Sequence, residues 1–353
     1  MTNYSDQCKI KFLNIKGGDI PDEEYFKMPG ISNSKLKLIN PDEGGSPELY
    51  LQGFPHNYNG SLEVGTTVHT QLLQPQDFTL SNYEGKPSGK CGYFIDLVYN
   101  FRKQGLPFYQ AIEKASEKAD YYYGKLTPKI LRKAIQAGLD YYLRKWHGEF
   151  TEDGKDVIVL PKKNLETAKA CISSINHNFE IQHIIKPGIF DEKEYFNEIA
   201  LFSDIEVTFP NGETEIIPFK GKLDSVVIDN EKKRVYLNDV KTTSRPIDTF
   251  MDRVIDDEAY AGAFTIHRYE RQMLCYMIML QMYVKQILHK ENYSYECNIF
   301  AVETTGTHQS RRFKINQAYI DKGLKEFKDL ICRVAYHTKY GFDKQFPETD
   351  NSI

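Results

Sequence analysis

The chain reads as an α/β protein with a mixed central sheet between helices. Two observations point there. Alternating apolar residues gather between positions 194 and 243 and again at 295–303, the two-residue period of strands. Helical spacing precedes and follows them, at 62–74, 164–185, 268–290 and 317–337. Strands in the middle with helices on both sides imply a mixed sheet of α/β type. At 353 residues, 41% hydrophobic and 13% aromatic, the chain can build one large globular domain or two small ones.

Residues 1–30 form a short irregular or strand-like lead, broken by Pro21 and Pro29. Ser32 or Asn33 caps a helix holding Lys35 to Ile39. Residues 41–61, rich in Pro, Gly and Asn, read as loop. The helix carrying His69 ends at Pro75. A short strand at 157–160 precedes one or two helices over 164–185. Strands at 194–209 and 215–228 meet at Asn211-Gly212, a hairpin turn signal. A second hairpin joins Lys220–Asp229 to Val235–Thr243 through a charged turn at 230–234. A long helix over 268–290, a strand at 295–303 and an amphipathic helix over 317–337 complete the series.

Residues 84–147 differ in character. They hold twelve Lys or Arg against six acids, a balance of +6 in a chain whose net charge is -4. Tyr121, Tyr122, Tyr123, Tyr141, Tyr142 and Trp146 are interleaved with the cations. Several helices are expected here, one starting at Thr127-Pro128. Solvated lysine faces with packed tyrosines would account for this composition. So would phosphate neutralisation plus base stacking, in which Lys129, Arg132 and Lys133 would contact DNA. The -4 total excludes a globally basic nucleic-acid binder.

The six cysteines form no C-x-x-C pair, so zinc and ordinary iron–sulfur spacings are absent. Scattered cysteines suit a reducing cytoplasm. The first thirty residues are polar and charged, unlike a signal peptide. No apolar run approaches a membrane span, so no membrane role is expected.

The second hairpin carries the chemistry. Asp239 and Lys241 are two apart and share one face of a strand. Asp224 begins the neighbouring strand and can reach that face. Two carboxylates and an ammonium suit a hard cation beside a scissile phosphate. On its own, such a pair of acids could equally be exposed strand carboxylates.

The spacing Asp224, Asp239, Lys241 resembles the PD-(D/E)xK nuclease superfamily. Three further segments are similar to its RecB- and RecE-like (lambda-type) phage exonuclease branch: Gly65 to His69 as Gly-x-x-x-His, Gln272 to Tyr276 as Gln-x-x-x-Tyr, and Glu198 on the strand before the first Asp. The opening Ile31 to Ile39 resembles that branch's N-terminal helix. The likeness covers roughly residues 30–80 and 155–340 in the family order. It leaves 84–150 without a counterpart, and residues 256–267 lengthen the link to the Gln272 helix.

The resemblance implies a restriction-endonuclease-like fold: a mixed central sheet flanked by helices, with a helical insertion. Residues 1–83 would be the N-terminal part of the nuclease domain, 84–150 the insertion and 151–353 the nuclease core. It implies a Mg²⁺-dependent deoxyribonuclease, Mn²⁺ substituting, with no Fe–S cluster. The activity would be 5′–3′ exonuclease digestion of double-stranded DNA, leaving 3′ single strands for recombination. Alternatives are an endonuclease or single-strand nuclease on the same fold, and a non-catalytic DNA-binding scaffold. Asp224 and Asp239 would bind metal, with the Val240 carbonyl and His69 as further ligands; His69 also reads as a core histidine. Lys241 would orient or deprotonate the attacking water, or stabilise transition-state charge. Glu198 would add a metal or water contact, with Glu192 and Glu194 as competitors for that role. Gln272 and Tyr276, one turn apart on a helix, would bond DNA phosphate or active-site residues, and Lys222 would neutralise a phosphate. Partners implied are DNA, a single-strand annealing protein and further copies in a ring. The compartment implied is the cytoplasm, that of a bacterial host if the gene is phage-borne.

Overall fold

A computed structural model of the chain describes residues 3–53, 60–122, 124, 127–152, 155–186 and 192–347. Tyr123 and Lys125 of the basic segment lie outside the described residues. The fold is mixed α/β, a six-stranded sheet with helices on both faces. In chain order come β1 (Lys9–Gly18) and α1 (Gly60–Leu73), then α2 (Gly89–Lys103), α3 (Phe108–Ala119), α4 (Pro128–Gln136) and α5 (Leu139–Trp146). α6 (Lys162–His177), β2 (Lys193–Thr208), β3 (Thr214–Asp229) and β4 (Arg234–Thr243) follow. The chain ends with α7 (Tyr269–Gln286), β5 (Ser294–Glu303), β6 (Ser310–Lys314) and α8 (Gln317–Tyr340).

The sheet runs β1 to β6 in chain order. Neighbours are antiparallel except β4 and β5, which are parallel. A parallel pair needs a long crossover, here supplied by α7. The β2–β3 turn is set by Gly212 at φ 85°, with Asn211 Oδ1 accepting from the Glu213 amide at 3.0 Å. Val226, Val227 and Ile228 on β3 are all buried, the run expected of a strand covered on both faces. One face packs Leu237 and Ile299 against α7 and α8, the other packs Val240 and Phe300 against α1 and α6.

The sheet forks. β3 pairs with β4 only from Asp229↔Arg234 to Ser225↔Asn238. Beyond that point β3 continues beside β2 to Thr214, while β4 continues beside β5 to Thr243. Ile31 takes up backbone groups of the freed β3 edge: its amide donates to Pro218 O, and the Lys220 amide donates to Ile31 O, both at 2.8 Å. The fork exposes the ends of two strands inside a covered sheet, which is how polar groups come to lie there without disrupting a ladder.

The helices between residues 89 and 146 enclose a separate apolar cluster around Phe94, Ile95 and Ile112. At their foot a small three-stranded sheet joins Phe78–Leu80, Thr151–Glu152 and Lys155–Ile158. The strand expected at 157–160 belongs to this small sheet and starts earlier. Of the irregular and strand-like forms expected for the lead, residues 9–18 take the second as the edge strand β1, with Lys9, Lys11 and Lys16 along it, charges that discourage edge pairing. At the start of the link over 256–267, Glu258–Tyr260 pairs with the preceding Arg253–Ile255 in a small exposed hairpin. No described helix is long and apolar enough to cross a membrane.

Candidate active site

α1 approaches β4 closely because Gly65 has no side chain: a Cβ there would meet Thr242 Oγ1 at 2.9 Å. One turn on, His69 therefore reaches the fork. Its Nε2 lies 2.9 Å from Asp224 Oδ2 and its Nδ1 3.0 Å from Glu198 Oε1. The ligand atoms of His69, Glu198 and Asp224 all fall within 4.8 Å of one another.

Asp224 sits one residue past the last β3–β4 pair. Its Oδ2 accepts the Val240 amide at 2.8 Å, so a side chain replaces the lost ladder partner. Glu198 faces the same break from β2. Pairing runs Asn197↔Ser225 and then Ile199↔Leu223, skipping Glu198, whose φ is 55°. A left-handed non-glycine residue in a strand costs about 1–3 kcal/mol and re-aims its side chain. Glu194, a competitor from the sequence, lies elsewhere, bound to Lys290 and Asn230, each at 2.6 Å.

Asp239, 1% exposed, contacts Lys241 Nζ at 2.5 Å through Oδ2 and accepts Gln272 Nε2 at 3.1 Å through Oδ1. Lys241 also lies over the Tyr269 ring, 5.2 Å from its centroid, and Phe250 stacks on Tyr269 at 6.1 Å. Tyr269 was not singled out from sequence; its place three residues before Gln272 on α7 is the signal that could have found it.

Lys222, expected to neutralise a phosphate, and Gln272 and Tyr276, expected to bond phosphate or active-site residues, all find partners within the protein. Lys222 contacts Glu198 Oε2 at 2.8 Å and also bonds Asp22, so its charge is neutralised within the protein. Gln272 serves Asp239. Tyr276 packs on Gly221, where a Cβ would lie 2.9 Å from the ring, and its hydroxyl is linked to Gln272. Gly221 and Gly65 thus mark close approaches of helix to strand.

The charges settle into an alternating array. Burial disfavours protonated His69, but Asp224 and Glu198 outweigh it and raise its pKa to about 9. Burial would raise Asp224, yet His69 and Lys241 hold its carboxyl below the ordinary range. Burial lifts Asp239 to about 6, against the pull of Lys241. Burial likewise lifts Glu198. Burial opposes the Lys241 charge, but Asp239 and Asp224 override it and raise its pKa. Lys241 is thus held as a cation.

These residues fit a hard divalent cation. Buried Glu198 Oε1 and Asp239 Oδ2 have no directed hydrogen bond, although the nearby His69 nitrogen and Lys241 ammonium balance their charge. Under-satisfied buried carboxylate oxygens are capacity that a bound ion or water can fill. Carboxylate oxygens suit Mg²⁺ and Mn²⁺, and the single imidazole binds Mn²⁺ better than Mg²⁺. The His69 proton holds the place between two carboxylates that a cation would take, so binding would release it.

In the basic segment, Lys129, Arg132 and Lys133 are exposed on α4, and no ion pair reaches them among the described residues. Other cations there are turned to architecture: Lys86 contacts Glu63 at 2.6 Å and Asp96 at 3.1 Å, and Lys145 contacts Asp96 at 2.5 Å. Tyr141 and Tyr142 are buried in the segment's own core, which removes them as stacking platforms.

No family model matches the chain, and no curated protein matches it. Among solved structures it is similar to a protein of Eubacterium rectale described as a candidate exonuclease. Identity is 13%, coverage is 68% of this chain and 77% of that one, and the TM-score is 0.36, too low to bear on the site.

Proposed function

We propose that the chain is a Mg²⁺-dependent deoxyribonuclease, with Mn²⁺ able to substitute. The observation that carries this reading is the fork: it gathers Asp224, Asp239, Lys241, Glu198 and His69 where β3 and β4 part. Asp224, Asp239, Glu198 and His69 would hold the cation, with the Val240 carbonyl as a further oxygen. A bound cation lowers the pKa of water and neutralises charge on the phosphate. Lys241, whose charged form Asp239 and Asp224 favour, would orient or deprotonate the attacking water or stabilise the developing negative charge. Gln272 holds Asp239 from the α7 side and Tyr269 holds the Lys241 ammonium over its ring. Lys222 anchors Glu198 in its strained position.

The finer reading is 5′–3′ exonuclease action on double-stranded DNA, leaving 3′ single strands for a recombination partner. It rests on the order of the sequence motifs rather than on residue physics. The test is digestion in Mg²⁺ of linear duplex labelled at either end, beside nicked and closed circles. Progressive loss from the 5′ end of each strand with the closed circle intact is expected. Linearisation of the circle would replace this reading by the endonuclease one. Tight binding of DNA without cleavage would favour the scaffold, and full activity in excess chelator would remove the metal mechanism.

A further inference from the structure

The outer face of the basic segment carries a cluster that the fork does not use. Trp146, the single tryptophan of the chain, is 37% exposed at the end of α5. Tyr142 stacks on it at 6.0 Å and Tyr99 meets it edge-on at 6.2 Å. Two cations from the last turn of α2 lie over its ring, Arg102 at 5.6 Å and Lys103 at 5.3 Å from the centroid. Neither forms an ion pair among the described residues; half-buried Arg102 donates to Leu106 O at 2.7 Å, while Lys103 is exposed. A cavity of about 300 Å³ adjoins the cluster, sharing Tyr99 and Lys145 with it.

A partly exposed indole beside an exposed lysine that no ion pair neutralises presents a flat apolar ring and a positive charge together. Its chemistry is specific. The cations call for a polyanion, and the indole calls for flat apolar rings. In a duplex each base face is covered by its neighbours, whereas an unpaired strand presents bases that stack on aromatic side chains while its phosphates meet the cations. We infer that the Trp146–Lys103–Arg102 face binds single-stranded DNA through base stacking on Trp146. The inference rests on the nuclease reading and deepens it: this face would hold the strand left behind when its complement is degraded. It also shifts the expected DNA contacts from α4 alone to the junction of α2 and α5.

The sole tryptophan supplies the probe. In excess chelator, which stops hydrolysis, oligothymidylate of about twenty nucleotides, longer than the roughly 4–16 that single-strand sites span, is titrated into the full chain. Saturable quenching of Trp146 fluorescence is expected. Blunt duplex and an abasic strand of equal length should quench far less. With a labelled oligonucleotide, Trp146→Leu should weaken binding roughly tenfold, Trp146→Phe should restore most of it, and Lys103→Ala should flatten the salt dependence. Saturable binding without quenching, or unchanged affinity in Trp146→Leu, overturns the inference. Quenching that follows protein concentration without DNA also overturns it, since a second copy would then cover the face. Digestion of linear duplex in Mg²⁺ by the same preparation separates the two failures. Cleavage with no quenching removes the strand-binding face only; absence of both cleavage and DNA binding removes the nuclease reading with it.

Discussion

The fork and the basic segment both bury charged side chains, and they treat them differently. In the segment, Asp96 accepts Lys145 at 2.5 Å and the Tyr141 hydroxyl at 2.7 Å, and Lys86 lies 3.1 Å away. Lys86 in turn holds Glu63, which also accepts Asn164 at 2.9 Å. In the fork, His69, Glu198, Asp224, Asp239 and Lys241 crowd as closely, yet Glu198 Oε1 and Asp239 Oδ2 lack a directed hydrogen bond, and Glu198 sits in a left-handed conformation. Closed networks rigidify an architecture, whereas strain and unfinished hydrogen bonding gather where a ligand is to bind. The contrast accords with the proposed chemistry at the fork, while in the segment Lys86 and Glu63 tie its helices to α1.

The largest effect that could break this contrast is at the fork. Asp224→Asn, Asp239→Asn and Lys241→Ala are each expected to lower single-turnover cleavage by at least about a hundredfold, with circular dichroism unchanged. Wild-type turnover in Asp239→Asn, with the same metal dependence, would mean that the site lies elsewhere.

A second variant tests how the fork is assembled. Gly65→Val puts a side chain where even a Cβ would press on Thr242 Oγ1. Overpacking of this kind costs about 1–3 kcal/mol, and it should displace His69. Chemical denaturation and cleavage should both report the loss, and Thr242→Ala in the same chain should recover part of it because the two sites touch. Additive effects would show that α1 does not depend on this contact.

The segment should respond in stability rather than chemistry. Burial would raise Asp96, but Lys86 and Lys145 overcome it and hold its carboxyl below the ordinary range. A carboxyl with a lowered folded pKa contributes stability above its unfolded value, near 4, and loses it as pH falls through the folded value. Asp96→Asn should therefore lower stability by about 3–5 kcal/mol at pH 7. The gap should close as the pH falls below about 4. Melting curves of both proteins at several pH values check this; a gap that stays constant into acid would mean that the ion pairs are not its source.

The smallest expected effect is on α4. Reversing charge at Lys129, Arg132 and Lys133 together should weaken DNA binding and flatten its salt slope, with cleavage at saturating DNA changed little. An unchanged slope would make them an ordinary solvated face.

Much of this was legible locally. Asn211-Gly212 marked its turn, Thr127-Pro128 opened α4, and of Ser32 and Asn33 it is Ser32 that accepts the Lys35 amide at 3.4 Å. Each is a signal written in a few adjacent residues. The fork was not legible, because it depends on where two strands stop pairing, and alternation along each strand carries no such information. Glu198 was set apart from Glu192 and Glu194 by the family resemblance alone, for a related reason. All three are acids on or near one strand, and a backbone irregularity decides which one reaches the site. The partners of Lys222 and Gln272 could not be read locally because they are distant in sequence: Asp22 is 200 positions from Lys222, and Asp239 is 33 from Gln272. The cations of 84–147 looked alike as composition. Only packing divides Lys86 and Lys145, bound to Asp96, from Lys103 and Lys129, which face solvent.

The central claim is that the fork holds a divalent cation, and Mn²⁺ binding measured by electron paramagnetic resonance tests it without relying on any substrate. Free Mn²⁺ gives a sharp signal that is lost on binding. The wild-type chain should take up Mn²⁺ in competition with Mg²⁺, and more weakly as the pH falls and His69 keeps its proton. Asp224→Asn should lose that uptake while melting as a folded protein. Equal Mn²⁺ uptake by the wild type and Asp224→Asn, or none by either, would contradict the account.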